Sequence, residues 1–204
     1  MIREIRPALV ILTLLSVITG IAYPLLMVGI GKAVFPWQAG GSLVEQEGKV
    51  VGSALIGQDF TAPQYFHPRP SATTAPDPKD ATKTVPAPYN ASNSSGSNLG
   101  PTSKALVDRT EADVAKLKAD NPDAVREGLP IPMDLVTTSG SGLDPDISPE
   151  AALFQAPRVA HARNLSEDKV RAVIESETQT PLFGVLGERR VNVLAINRAL
   201  DRIK

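Results

Sequence analysis

A chain of 204 residues with 21 Lys+Arg against 22 Asp+Glu has room for one membrane helix and one modest soluble domain, and it has no basic field to attract nucleic acid. Cysteine is absent, which excludes disulfide scaffolds, zinc-thiolate sites and cysteine nucleophiles together.

Residues 8–31 read ALVILTLLSVITGIAYPLLMVGIG, 24 positions without a charge. As a helix this run is about 36 Å long, enough to cross a hydrocarbon core of roughly 30 Å with some tilt. A cleaved signal peptide has an apolar stretch of only about 7 to 15 residues and a small-x-small cleavage site. The sequence after the run, Lys32-Ala33-Val34-Phe35-Pro36-Trp37, offers no such site, so an uncleaved anchor is expected. Arg3, Arg6 and the amino terminus on one flank outweigh Lys32 on the other, which places the N-terminus in the cytoplasm and exports the rest of the chain. The expected division is 1–34 for the cytoplasmic N-terminus and anchor, and 35–204 for an extracytoplasmic domain. Phe35 and Trp37 suit the outer interface. Within the helix, Thr13, Ser16 and Gly20 form a stripe of small or weakly polar side chains that Pro24 continues, a surface on which a partner helix can pack closely. The competing reading is that these residues are ordinary in membrane helices and that Pro24 only kinks this one.

Beyond the anchor, Leu43-Val44 and Val50-Val51 suggest a hairpin joined through residues 45–49. Residues 61–101 are rich in Pro, Ser, Asn, Thr and Gly and lose apolar periodicity, so a long irregular loop is expected, mobile in part or ordered by a partner. Residues 103–119 read as a helix with Leu106, Val107, Thr110, Val114 and Leu117 on one face, ended by Asn121-Pro122. Residues 133–138 suggest a strand. Ser148-Pro149-Glu150 is a strong helix start, with Ser at the cap, Pro at the first helical position and an acid in the first turn. That helix is expected to kink or restart at Pro157. Ser166 caps another, and a last helix near 192–203 turns Val193, Ile196, Leu200 and Ile203 inward. The expected fold class is therefore α+β: one N-terminal transmembrane helix, then a single small extracytoplasmic α+β domain with a long irregular loop at 61–101.

Catalytic signatures are scarce. SEDK at 166–169 matches a Ser-x-x-Lys nucleophile pattern without its companion motifs, so Ser166 is better explained as a helix cap. Asp144, Asp146 and Ser148 have the spacing that opens a calcium loop, but Pro149 stands where the turn needs Gly and Gln155 where a bidentate Glu belongs. Turn-forming aspartates are the simpler reading, and no metal site is expected. His67 and His161 stand apart from any ligand partner, and no phosphate-binding loop, nucleophile elbow or dinucleotide fingerprint occurs.

The segments GSALIGQ (52–58), PQYFHPRPS (63–71), GSNLGP (96–101), DLVT (134–137), SGLDP (141–145), ISP (147–149), QAPRVA (155–160) and VNVLAIN (191–197), coming after an N-terminal anchor, resemble in order the C subunits of bacterial Kdp potassium-transporting ATPases, the KdpC family. Ala156 stands where Val is expected, Gly140 where Ala is, and the stretch 73–88 is longer than expected. The resemblance implies an accessory, non-catalytic subunit at the inner membrane, required for assembly and activity of an ATP-driven potassium importer. Its implied partners are a channel-like potassium-translocating subunit, a P-type ATPase subunit, a small membrane subunit and membrane lipid. ATP and K+ belong to that complex, and no cofactor of this chain's own is implied. The family is described as a catalytic chaperone that raises ATP affinity, with the Gln of Gln-x-Pro-Arg, here Gln155, suggested to meet nucleotide. The charge rule conflicts with that suggestion, because it places Gln155 outside while ATP is cytoplasmic; an indirect influence is favoured. An outer docking surface is expected at Asp144, Asp146 and Arg158, where the aspartates enrich cations only slightly under salt screening. The alternative from another class is a membrane-anchored envelope enzyme or binding protein.

Overall fold

Two units divide the chain in a computed structural model, Met1–Ser53 and Ala54–Lys204. The structure describes residues 2–203, apart from the side chain of Ile2. The amino-terminal charge invoked for orientation, and the last residue of the expected outer domain, lie outside the described residues.

The first unit is led by helices α1 (Ile2–Val17) and α2 (Tyr23–Val34), joined without a break by a π-helical turn at Ile18–Ala22. Together they make a helix, Arg3–Val34, long and apolar enough to cross a membrane, and none of its most apolar window is buried. Pro24 has no N–H for the carbonyl one turn back, and the wider turn just before it absorbs that mismatch in place of a break. A short helix α3 (Pro36–Ala39) comes next, and Trp37 Nε1 donates to the Leu43 carbonyl at 3.1 Å. The expected hairpin is present: β1 (Leu43–Gln46) pairs antiparallel with β2 (Lys49–Ser53). Its turn is only Glu47-Gly48, both at positive φ, the geometry that matches strand twist in two-residue hairpins.

The second unit is α+β. A second hairpin, β3 (Thr74–Asp77) with β4 (Asp80–Pro86), rises from the segment expected to be irregular. The β-branched Thr82, Thr84 and Val85 on β4, and Lys79 N–H bonded to the Asp77 carboxylate at 2.8 Å, supply a local reason for it. Helix α4 (Lys104–Asp120) matches expectation in extent, but Val107 is exposed and no residue of α4 is fully buried. After α5 (Pro122–Arg126), the expected strand at 133–138 is instead a single 3-10 turn at Met133–Leu135. There the Asp134 carboxylate receives Ser148 N–H at 2.7 Å and its hydroxyl at 3.1 Å, which folds the segment onto the next helix start.

Three short strands, β5 (Asp146–Ile147), β6 (Thr178–Gln179) and β7 (Arg190–Asn192), form one antiparallel sheet in the order β5-β7-β6. Around it pack α6 (Pro149–Arg163), α7 (Glu167–Glu177) and α8 (Val193–Asp201). Ser148 caps α6 as expected, its hydroxyl accepting from Ala151 N–H. Of the kink or restart expected at Pro157, the restart does not occur: α6 runs through it. An interior proline costs a helix about 3 kcal/mol, and the burial of residues on both sides, including Phe154, Ala156, Val159 and Ala160, offsets that cost. Ser166 occupies the cap position of α7 without making the side-chain bond, whereas Asn192 caps α8 by accepting from Ala195 N–H. Val193, Ile196 and Leu200 enter the core with Phe66, Phe154, Val159, Val170, Ile174 and Val191, and Ile203 packs against it.

Candidate functional site

The segment 63–71 carries three prolines, so its backbone cannot join a sheet and its remaining polar groups must find partners elsewhere. They find them on two helices. Asn197 of α8 accepts from Phe66 N–H at 2.8 Å and donates to the Phe66 carbonyl at 3.0 Å. Gln155 of α6 does the same at the next residue, accepting from His67 N–H at 2.8 Å and donating to the His67 carbonyl at 3.1 Å. Two buried carboxamides thus stand in for the strands that this backbone lacks.

The arginines on α6 complete the hold. Arg158 donates to the carbonyls of Pro63 and Tyr65, to Asn121 and, at 2.7 Å, to Gln155 Oε1. Burial lowers its pKa to about 10. Arg163 donates to the Gln64 carbonyl and to Asp201, with its guanidinium 5.1 Å from the centre of the Tyr65 ring. Farther along, Ser71 accepts from Tyr89 N–H and donates to the Gly142 carbonyl, while Tyr89 Oη donates to the Arg69 carbonyl at 2.8 Å. Close approach is needed here: a Cβ at Gly57 would lie 2.4 Å from the Tyr89 ring and 2.5 Å from the Asp144 carbonyl.

Beside this segment lies a cavity of about 300 Å³ whose wall includes Asp59, His67, Arg69, Tyr89, Asp113, Lys116 and Gln155. Burial, then the nearby charge of Arg158, lowers the His67 pKa to about 4, so the ring is neutral at ordinary pH. Burial raises Asp59 and Asp113, and it raises the Tyr89 hydroxyl. No group of three or more His, Cys, Asp or Glu that would hold a metal occurs among the described residues.

Gln155 is 1 % exposed, and both of its acceptor and both of its donor positions are filled by His67, Arg158 and Ala151. Arg158 is partly buried, with its donors turned to the chain's own carbonyls and carboxamides. Asp144 meets Arg69 at 2.8 Å and accepts from Asp146 N–H, the turn expected of it. Asp146 meets Arg190 at 3.1 Å and Asn192 at 3.1 Å, and burial raises its pKa. Both aspartates line a second depression of about 410 Å³ with their charges matched by arginines. Thr13, Ser16, Gly20 and Pro24 all lie exposed on the apolar helix, with open space around the Gly20 α-carbon. Sequence reasoning missed Asn197, Ser71 and Tyr89. The signal for Asn197 was present, a carboxamide between Ile196 and Leu200 on an otherwise apolar helix face.

The family model for the K+-transporting ATPase c chain, KdpC, matches residues 5–202. The chain belongs to the KdpC family. Among curated KdpC subunits, that of Bradyrhizobium diazoefficiens is 66% identical over 202 residues, covering 99% of this chain and 98% of the relative. That of Rhodopseudomonas palustris strain BisB18 is 63% identical over 204 residues, the full length of both. That of Methylorubrum populi is 62% identical over 203 residues, covering 100% of this chain and 98% of the relative. Each bears the name potassium-transporting ATPase KdpC subunit. The KdpC match spans both units, the apolar helix and the clamped α+β domain alike.

Proposed function

We propose that this chain is an accessory, non-catalytic subunit of an ATP-driven potassium importer. One helix anchors it in the inner membrane with its N-terminus cytoplasmic, and its outer domain docks on the external face of the channel-like subunit. The P-type ATPase subunit and a small membrane subunit complete the complex. The observation that carries this reading is the family match over residues 5–202. The arginines before the apolar run and the single lysine after it support the orientation. A shallow apolar depression lined by Leu9, Val10, Thr13, Leu14, Val17 and Ile18 supports a neighbouring helix on the face that carries Thr13.

The chemistry supports a positioning role and not a turnover role. Potassium and ATP belong to the partner chains, and the chain raises ATP affinity indirectly, through its membrane helix and subunit contacts. Direct nucleotide binding by Gln155 would require breaking hydrogen bonds that hold the 63–71 segment. Asp144 and Asp146, paired with Arg69 and Arg190, serve the local fold and the rim of the docking face.

A phosphatase reporter fused to the C-terminus tests the orientation: activity outside the membrane is expected, and fluorescence of a cytoplasm-restricted reporter at the same position would defeat it. For the helix stripe, Gly20→Leu should reduce co-purification of the other subunits, and unchanged recovery would make Gly20 lipid-facing background.

A further inference from the structure

A two-stranded hairpin is at best marginally stable in water and needs an apolar surface to lie against. Strands β1 and β2 make a two-stranded sheet of their own, and Ser42 is the sole described residue of their unit that is buried. That unit therefore has no core, yet the hairpin groups with the apolar helix and not with the α+β unit, which begins at Ala54. The ties run through Trp37, the only tryptophan of the chain. Its indole N–H reaches the Leu43 carbonyl at 3.1 Å, and its own carbonyl accepts from Ser42 N–H at 3.0 Å. Ser53, the last residue of β2, donates through its hydroxyl to the Gly41 carbonyl at 2.8 Å. At the other end α3 folds back on the long helix, where a Cβ at Gly31 would meet the Ala39 methyl at 3.8 Å.

These ties fix the depth of the hairpin. Gly31 ends the run of 24 uncharged residues, so α3 and the base of the hairpin stand at the edge of the hydrocarbon that the helix crosses. Val34, Phe35, Trp37 and Leu43, between 46% and 60% exposed, continue the apolar surface of the helix onto α3 and β1. Polarity then rises along the strands to the tip, where Glu45, Glu47 and Lys49 are exposed. That gradient follows the passage from acyl chain through headgroup to water, and a Trp ring with one N–H suits the layer between. Lipid meets a single span on every face, and this apolar surface is continuous with the span's own at the same depth, so the bilayer that holds the helix also covers it. We propose that α3 and the base of β1–β2 form a collar seated in the lipid headgroup layer at the C-terminal end of the span, so that the chain departs from the membrane at Ser53 and not at Phe35. The inference rests on the reading of the apolar helix as a membrane anchor and extends that anchor by one hairpin.

The chain contains no cysteine, so a single introduced cysteine carries a nitroxide label without background. The full-length protein is measured by spin-label power saturation in phosphatidylethanolamine–phosphatidylglycerol vesicles, alone and, labelled beforehand, in the assembled complex. Oxygen serves as the lipid-soluble relaxant and a nickel chelate as the water-soluble one. At Leu43→Cys the oxygen-to-nickel collision ratio should be about fivefold or more above that at Lys49→Cys on the hairpin tip. A ratio at position 43 no higher than at position 49 would overturn the proposal. So would a label at 43 shielded from both relaxants in the complex, the mark of a protein contact. In the unaltered chain, Trp37 fluorescence should be quenched by lipids brominated near the headgroup end of the acyl chain and not by aqueous iodide, and the reverse would also overturn it. Leu14→Cys in the middle of the span separates the two readings. A water-like ratio there defeats the anchor itself, whereas a lipid-like ratio at 14 with a water-like ratio at 43 defeats only the collar.

Discussion

The 63–71 segment and the 180–187 turn are both irregular backbone rich in Pro or Gly, yet they have opposite fates. In the first, the buried backbone groups of Phe66 and His67 are matched by carboxamides, with Asn197 holding Phe66 and Gln155 holding His67. In the second, apolar groups are exposed and nothing within the unit covers them. A segment whose backbone is held by buried side chains of the same domain works as framework, whatever its motif suggests. A segment that leaves apolar surface in water gives the fold little of its stability.

The largest expected effect comes from breaking the framework side. Gln155→Ala orphans the His67 N–H and carbonyl and frees Arg158 Nη2, and should lower stability by about 3–5 kcal/mol in denaturant unfolding of the detergent-solubilised chain. If stability is unchanged while ATP dependence of the complex shifts, the framework reading of Gln155 is wrong. Gly57→Ala drives a Cβ into the Tyr89 ring and the Asp144 carbonyl, with an expected loss of about 1–3 kcal/mol and a visible change in tyrosine fluorescence.

The pH dependence is a smaller effect with a defined sign. His67 is held neutral, with its pKa lowered from 6.5 to about 4 by burial first, while Arg158 and Lys116 disfavour its charge and Asp120 favours it. The unfolded chain therefore binds the extra proton first. Stability from this group is fully present above pH 6.5, is lost as pH falls towards 4, and falls no further below that. The ring is partly exposed, so the loss is on the order of 2 kcal/mol. His67→Gln should flatten the unfolding midpoint over that window. The smallest effect belongs to the exposed turn: Phe183→Ser should change stability by no more than about 0.5 kcal/mol. A larger loss would mean that Phe183 supports the fold, and the contrast between the two regions would weaken.

Local signals were legible in the sequence where the cause is itself local. The apolar helix, the hairpin at 43–53, the Ser148-Pro149 helix start and the final helix all arise from composition, turn chemistry or period over a few residues. The expectations that failed were those decided by distant partners. Residues 133–135 fold as a turn because Asp134 reaches Ser148, fourteen positions away, and α6 continues through Pro157 because both sides of it are buried. The hairpin at 74–86 was hidden because its strands carry Pro and Asp and few large apolar residues. For the candidate site, Gln155, Arg158, Asp144 and Asp146 were singled out by position or resemblance, but their bonding was not legible, since the partners of Gln155 on His67 lie 88 residues away.

The sequence by itself determined that an apolar run of 24 uncharged residues precedes an α+β domain, and its motifs placed the chain in its family. Those properties depend on composition and order along the chain, which need no folded context. Only the tertiary structure decided that Gln155 is a clamp with all of its hydrogen bonds in use, and that Phe183 faces outward on a tight turn. Whether a polar group is satisfied, or an apolar one covered, depends on what the fold brings beside it from far along the chain.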